Sequence, residues 1–507
     1  MTIPVEVFKV LKTLINGGFD SYLVGGCVRD LILGIKPKDW DIATSALPQD
    51  ILKLFPDAIY ENEFGTVRVK TESLDDSLKI IEVTTFRSEG KYSDLRHPDK
   101  IEFTKDIKKD LARRDFTINA IALKIKNEIL KTKKVLNEIK LKKSDYEFID
   151  PFEGLKDLNL KLIRAVLDPN ERFKEDALRL LRAPRFLTQL NSIDSLGIWK
   201  IEKNTYEAIL KNAHLLNNIS KERIRDEFTK IILSSEGSRG ILMLEELGLL
   251  EYIIPELREG IGIKQNKHHI YTVFEHSIKS LDYACKKNYS LEVRLAALLH
   301  DIAKPRTKRG EGENSTFFGH EYLGAKMAQK ILQRLCFSKE IINKVAHLIR
   351  YHMFYYNVGE VTEAGVRRFI KRVGIENIDD LIKVREADRI GSGVPKARVY
   401  KMRHLLYMIE KVRRDPISYK MLKINGNDII KILNISPGPK IGKILAILLE
   451  EVLEDPKKNN KDYLMNRVLE LNKLSDKELE KLKQKALSLK EEFEADIENK
   501  LKKKYYV

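Results

Sequence analysis

The 507-residue chain is poor in cysteine, with only Cys27, Cys285 and Cys336. An odd number without metal-type spacing excludes a disulfide framework and a zinc ribbon and points to a reducing cytoplasm. Long apolar runs are also missing. Segments such as Ile444–Leu449 fall far short of the roughly 20 residues that cross a bilayer, and the amphipathic start MTIPVEVFKVLKTL is broken by Lys9 and Lys12, so neither a membrane span nor a signal peptide is expected. Proline and glycine are sparse, at 15 and 26 residues, which excludes a collagen-like or low-complexity chain. With 43% hydrophobic and 33% charged residues, the composition is globular and largely helical. Its length suits about three or four domains.

Positive charge is abundant. Lysine and arginine exceed aspartate and glutamate by 92 − 75 = +17, and long anions such as nucleic acid are common partners of that imbalance. A lysine-rich genome produces the same excess, so charge alone leaves the partner open.

The pattern divides the chain. Short β-type runs at Tyr22–Val24, Trp40–Ile42, Val67–Lys70, Lys79–Thr85 and Ile118–Ile125 predict an α/β head over residues 1–150. Beyond Asp150 apolar residues recur at spacings of three and four, which predicts an all-α remainder. Gly and Pro clusters place seams that give a neck over 151–260, a further helical domain over 261–400 and a tail over 401–507.

Two clusters carry chemistry in the first half. Strand Tyr22-Leu23-Val24 runs into Gly25-Gly26 and a predicted helix Cys27–Leu33, a junction whose backbone amides can face a phosphate. Asp39 and Asp41 flank Trp40 at the start of an extended segment, where strand alternation turns both carboxylates to one face. Like charges so close call for a cation, and Mg²⁺ bridging a nucleoside triphosphate and an attacking hydroxyl satisfies both. Glu82, alone on an apolar strand, is a candidate third carboxylate; an ion pair with Arg87 is the alternative. Arg113-Arg114-Asp115 precedes an apolar run and suits phosphate or sugar contact.

The ordered set Gly25-Gly26-Cys27-Val28-Arg29-Asp30, Asp39-Trp40-Asp41, Glu82-Val83-Thr84-Thr85-Phe86-Arg87 and Arg113-Arg114-Asp115-Phe116-Thr117-Ile118-Asn119-Ala120 resembles the class II tRNA nucleotidyltransferases and bacterial poly(A) polymerases. The likeness continues through Asp150–Gly154, Arg172–Arg179 and Glu222–Glu227. It implies a polymerase β-like nucleotidyltransferase head with Asp39, Asp41 and Glu82 at the catalytic centre. It also implies nucleotide contacts from Gly25, Gly26, Arg29, Arg114 and Asn119, and base selection by Asp176 and Arg179. On a helix those last two share a face, and a carboxylate with a guanidinium matches the amino group and ring acceptor that cytosine and adenine both present. Arg87, Tyr92 and Arg96 resemble the family's flexible loop, which leans the reading toward full CCA or terminal A addition.

Seven of the ten histidines fall between His268 and His352. His300-Asp301 ends an apolar helix, with His276 upstream and Asp388 downstream, a mixed N/O set that suits a divalent transition metal or Mg²⁺. The pattern resembles the HD phosphohydrolases, in which His320 and His352 match positions of a second metal or of substrate contact; His268, His269 and His347 are weaker candidates. Such a domain hydrolyses phosphoesters through metal-activated water. In the tail, Ser436-Pro437-Gly438-Pro439-Lys440-Ile441-Gly442 marks a turn that suits either a phosphate grip or plain helix packing.

The combined expectation is a cytoplasmic enzyme that adds CCA, or its terminal A, to tRNA 3′ ends from CTP and ATP. It would use Mg²⁺, with no membrane and no stable protein partner. An HD phosphohydrolase as the principal activity, or a poly(A) polymerase, are the alternatives.

Overall fold

The computed structural model describes residues 1–60, 65–90, 101–130, 138–193, 197–266, 270–394, 400–413 and 415–484. The chain forms two compact units, Met1–Pro255 and Glu256–Val507. Among the described residues no helix is long and apolar enough to cross a membrane.

The first unit is built on a seven-stranded sheet of β1 (Ser21–Val24), β2 (Asp41–Thr44), β3 (Ile59–Tyr60), β4 (Thr66–Lys70), β5 (Ile80–Thr85), β6 (Ala122–Ile125) and β7 (Tyr146–Ile149). Its order is β7-β6-β1-β2-β5-β4-β3. Every pairing is antiparallel except β2 with β5, whose parallel register sets Asp41 directly beside Glu82. One side of the sheet is apolar: Tyr22, Val24, Ala43 and Ala122 pack with Phe86, Leu111 and Val166, and the Tyr22 and Phe86 rings stack at 5.7 Å.

β1 leads through Gly25 into α1 (Gly26–Ile32). After the sheet, α2 (Pro169–Glu175) gives way to α3 (Arg179–Asn191), which packs on α4 (Lys221–Leu233). The break between α2 and α3 lies at Asp176. A single helix carrying Asp176 and Arg179 on one face is therefore not what forms; Asp176 has extended backbone and closes α2, while Arg179 opens α3. The aspartate carboxylate accepts from the Leu178 amide at 3.1 Å, a local bond that competes with helix continuation.

The second unit is helical among the described residues, apart from isolated bridges. Its elements used below are α5 (Val273–Lys286), α6 (Leu291–Leu299), α7 (His320–Arg334), α8 (Lys339–Tyr351), α9 (Ile375–Gly391) and α10 (Tyr400–Val412). A capping box between Thr272 and Glu275 starts α5, and α5 packs on α9 and α6 while α7 packs on α8.

Candidate active sites

Gly25 occupies the turn from β1 to α1 with φ +75°, ψ −140°. A Cβ there would lie 2.9 Å from Arg114 Nη1 and 3.3 Å from Asp41 Oδ2, so glycine lets backbone, guanidinium and carboxylate share one corner. Replacing Gly25 with Ala is expected to lower folding stability by about 1–3 kcal/mol, the strain that a side chain costs in such a backbone. Urea midpoints of the variant and the unmodified chain check it.

This corner opens on a cavity of about 1170 Å³. Gly25, Gly26, Arg29, Asp39, Asp41, Arg87, Arg114, Asn119, Asp176 and Arg179 all line it, so most of the predicted head residues meet at one place. Ten cationic side chains face five carboxylates around that lining, an excess suited to a triphosphate. Asp41 begins β2, whereas Asp39 precedes the strand in an exposed bend, and buried Trp40 anchors the segment between them. The two carboxylates therefore reach the cavity from a bend and a strand end, and not by alternation along one strand.

Burial pushes Asp41 up to about 6; Arg114 pulls it down, and Glu82 and Asp39 push it further up. A cation would relieve that strain, and an all-oxygen donor set suits a hard ion. Glu82 stands beside Asp41 in register but is not among the cavity-lining residues. Its ion-pair partner is Arg68 at 3.6 Å rather than Arg87. Tyr92 and Arg96 lie outside the described residues.

The arginines are held by hydrogen bonds that leave their faces toward the cavity. Arg29 donates to Asn119 Oδ1 at 2.9 Å. Buried Asp110 accepts from Arg113 at 3.0 Å and Arg114 at 3.2 Å. Arg179 donates to Glu175 at 2.7 Å and to the Arg113 carbonyl at 2.9 Å, and Arg223 of α4 donates to Asp176 at 2.9 Å. Asp176 and Arg179 thus face one cavity without pairing with each other.

Several residues here escaped the sequence reading. Arg182 and Arg185 continue the Arg179 face of α3 at three-residue steps, a signal that was available in the sequence. With Arg29 they surround the Phe186 ring, their guanidinium carbons 5.4, 4.2 and 5.2 Å from its centre. Asp115 accepts from Arg182 at 2.6 Å, from Asn119 at 3.1 Å and from the Phe116 amide at 2.8 Å. Burial alone would raise this carboxyl, but Arg182, then the Asn119 bond and Arg179, outweigh it and hold it at about 2.

A depressed carboxyl contributes stability above its ordinary value of 3.8 and loses it as pH falls toward about 2. The contribution is about 2 kcal/mol. Asp115→Asn should therefore be less stable at pH 7 yet lose less on acidification from pH 5 to 2, as urea midpoints at each pH would report.

The second cluster lies wholly within Glu256–Val507. His276 comes from α5, His300 and Asp301 follow α6, His320 starts α7, His352 caps α8 and Asp388 lies on α9; all six are buried. Their polar atoms converge: His276 Nε2 is 2.9 Å from His300 Nε2, 3.2 Å from Asp301 and 3.4 Å from Asp388, and His320 Nε2 is 3.3 Å from Asp301. The Nδ1 atoms of His300, His320 and His352 bond backbone carbonyls of Ala297, Phe317 and Ile349 at 2.9, 2.7 and 2.7 Å. With Nδ1 donating, each ring turns an Nε2 lone pair inward, the arrangement that a carbonyl bond at the other ring nitrogen gives a metal-ligating histidine.

His320 Nε2 and Asp301 Oδ1 are buried without a hydrogen-bond partner, and two triads, His276-His300-Asp388 and His300-Asp301-His352, have ligand atoms within 4.8 Å of one another. The donors fit a divalent cation. Burial disfavours a charged imidazole, but Asp301 and Asp388 outweigh it and raise His300 to about 10, so a proton takes the place a cation would fill. Lys304, also unforeseen, is buried against Asp301 at 2.6 Å and donates to Gln265 at 2.7 Å. His347 instead bonds the Val373 carbonyl at 2.6 Å, away from the cluster, and His268 and His269 lie outside the described residues.

Comparison with known proteins matches a domain around each cluster. Residues 21–164 match the Poly A polymerase head domain, 199–261 the probable RNA and SrmB-binding site of polymerase A, and 273–392 the HD domain. A CCA-adding enzyme of Lactococcus lactis subsp. lactis is 31% identical over 469 residues, covering 92% of this chain and 96% of the relative. The chain belongs to the CCA-adding enzyme family. A CCA-adding enzyme of Anoxybacillus flavithermus is 40% identical over 253 residues, 50% of this chain and 56% of its own length. The crystal structure of the Bacillus stearothermophilus CCA-adding enzyme in complex with CTP superposes with a TM-score of 0.65 at 26% identity, covering 92% of this chain and 97% of that one. As a family member the chain is a tRNA nucleotidyltransferase with an α/β head, a helical region and an HD domain.

Proposed function

We propose that this enzyme adds C, C and A to the 3′ end of tRNA from CTP and ATP, without a nucleic-acid template, in the cytoplasm. The carrying observation is that Asp39 and Asp41 open on the same cavity as the Gly25–Gly26 turn and the Asp176–Arg179 junction. Its working parts would be the head (1–150), the neck (151–260), the HD domain (261–400) and a tRNA-holding tail (401–507).

In this reading Asp39 and Asp41, with Glu82 beside them, would hold Mg²⁺, which when bound would supply charge neutralisation at the α-phosphate and help activate the 3′-hydroxyl. Gly25 and Gly26 let backbone approach the triphosphate, and Arg29, Arg114 and Asn119 orient phosphate and sugar. Asp176 accepts from the base amino group while Arg179 donates to the ring acceptor. Uracil and guanine would leave both groups mismatched in a desolvated site. Rate comes from positioning and charge, with no covalent enzyme intermediate.

The test supplies tRNAs ending at the discriminator base, at C and at CC, each with CTP, ATP or both. Additions of three, two and one nucleotides when both triphosphates are present support the reading; long adenosine tracts would assign a poly(A) polymerase instead.

The inward Nε2 atoms around Asp301 favour a second activity, hydrolysis of a phosphoester at an RNA end. His276, His300, Asp301 and Asp388 would hold a divalent transition metal or Mg²⁺, His320 and His352 a second ion, and Lys304 would steady Asp301. A 2′,3′-cyclic nucleotide offered with Mg²⁺, Mn²⁺ or Ni²⁺ should be opened; no turnover with any of them contradicts this part.

A further inference from the structure

We propose that the exposed face of α10 is a stacking platform for unpaired bases of the RNA substrate. The helix buries Met402, Leu405, Met408, Ile409 and Val412, and on its other side Tyr400, Arg403, His404, Tyr407 and Lys411 recur at spacings of three and four. Tyr400 and Tyr407 are 63% and 61% exposed. His404 lies between them with its ring centre 6.0 Å from each, and Tyr356 flanks it at 5.9 Å with its hydroxyl 2.5 Å from Nδ1. Single exposed tyrosines are ordinary. Four neighbouring rings, the central one oriented by a hydrogen bond, form a continuous aromatic surface.

The charge around the row selects the partner. Exposed Lys401 and Arg403 have no carboxylate partner among the described residues; Lys401 bonds the neutral Asn357 side chain. Glu410, the acid within α10, lies 3.4 Å from Arg413, and Lys411 at the end of the row pairs with Glu363, which leaves Lys401 and Arg403 as the cations for phosphate. Tyrosine rings alone also suit protein interfaces; it is the exposed cations without carboxylate partners beside the rings that match a base and its phosphate. A paired helix hides its base faces, so the occupant is a loop or single-stranded segment. This extends the proposed reaction on tRNA and rests on it, naming a part of the RNA that the second unit holds.

The test measures, at one salt concentration, binding of the full chain to a tRNA transcript and to a blunt RNA duplex. Tyr400→Ala/Tyr407→Ala should weaken tRNA binding roughly 10- to 100-fold and leave the duplex affinity as in the unmodified chain. Tyr400→Phe/Tyr407→Phe should keep tRNA affinity, because the ring and not the hydroxyl does the stacking. Equal losses on both RNAs, no loss in the Ala variant, or a Phe variant as weak as the Ala one would each overturn the platform alone. An unmodified chain that binds no tRNA would overturn the tRNA reading and the platform together.

Discussion

Asp41→Asn is expected to cut nucleotide incorporation on the order of 10³-fold while leaving the protein at least as stable. Activity falls because a neutral amide binds a hard divalent cation far more weakly than a carboxylate does, so the cation proposed to offset charge at the α-phosphate would be lost. Stability moves the other way. Burial raises the Asp41 carboxyl from 3.8 to about 6, so the fold prefers the neutral acid and loses stability as pH rises through that window. Asparagine is neutral at every pH, nearly isosteric, and free of the repulsion from Asp39 and Glu82. Urea midpoints at pH 5 and pH 8 should therefore differ less in Asp41→Asn than in the unmodified chain, and the variant should match or exceed it at pH 8. Asp39→Asn should lose comparable activity without that stability gain, since Asp39 is exposed. A variant that lost stability and activity together would mark Asp41 as a structural acid.

The second large effect concerns the HD cluster. Asp301 is 1% exposed and meets His276, His300, His320 and Lys304 at once. Asp301→Ala strands the buried Lys304 ammonium, which costs about 3–5 kcal/mol. For a unit of this size that lowers Tm by roughly 6–20 °C. Adding Lys304→Met should recover much of the loss, because an apolar side chain of similar volume replaces the unpaired charge. Neither variant should show the phosphoester hydrolysis proposed for this cluster. Divalent metal should raise Tm of the unmodified chain and not of Asp301→Ala, since only a site that binds the ion in the folded state is stabilised by it. Scanning calorimetry with and without metal separates these outcomes. A double variant no more stable than Asp301→Ala would show that the buried pair is not the source of the loss.

How much of this was readable in advance depends on the range of the interactions. The Tyr22–Gly26 junction and the Asp39-Trp40-Asp41 segment are local, so periodicity and backbone chemistry placed them near their positions in the fold. His300-Asp301 was legible because two ligand types stand side by side at a helix end. What failed was local too in two cases: Asp39 lies in a bend before β2, so alternation does not align it with Asp41, and Asp176 and Arg179 have helical spacing, but the aspartate captures the Leu178 amide and ends α2. Elsewhere the missing information is long-range. Nothing near Glu82 in sequence announces Arg68, which reaches it only because β4 and β5 pair. Asp115 with Arg182, and Lys304 with Gln265, join segments far apart in the chain, and buried charges choose partners by packing rather than by spacing. The aromatic row on α10 follows helical spacing, yet it stands out only once Tyr356 is seen beside His404.

The most direct measurement offers the enzyme a tRNA lacking its last three nucleotides together with all four nucleoside triphosphates at equal concentration, and sequences the extended 3′ ends. The proposed cation site at Asp39 and Asp41, in a cavity lined by both the Asp176 carboxylate and the Arg179 guanidinium, predicts C, C and A in that order, followed by a stop. Uridine or guanosine at the first positions, or a run of adenosines, would contradict it.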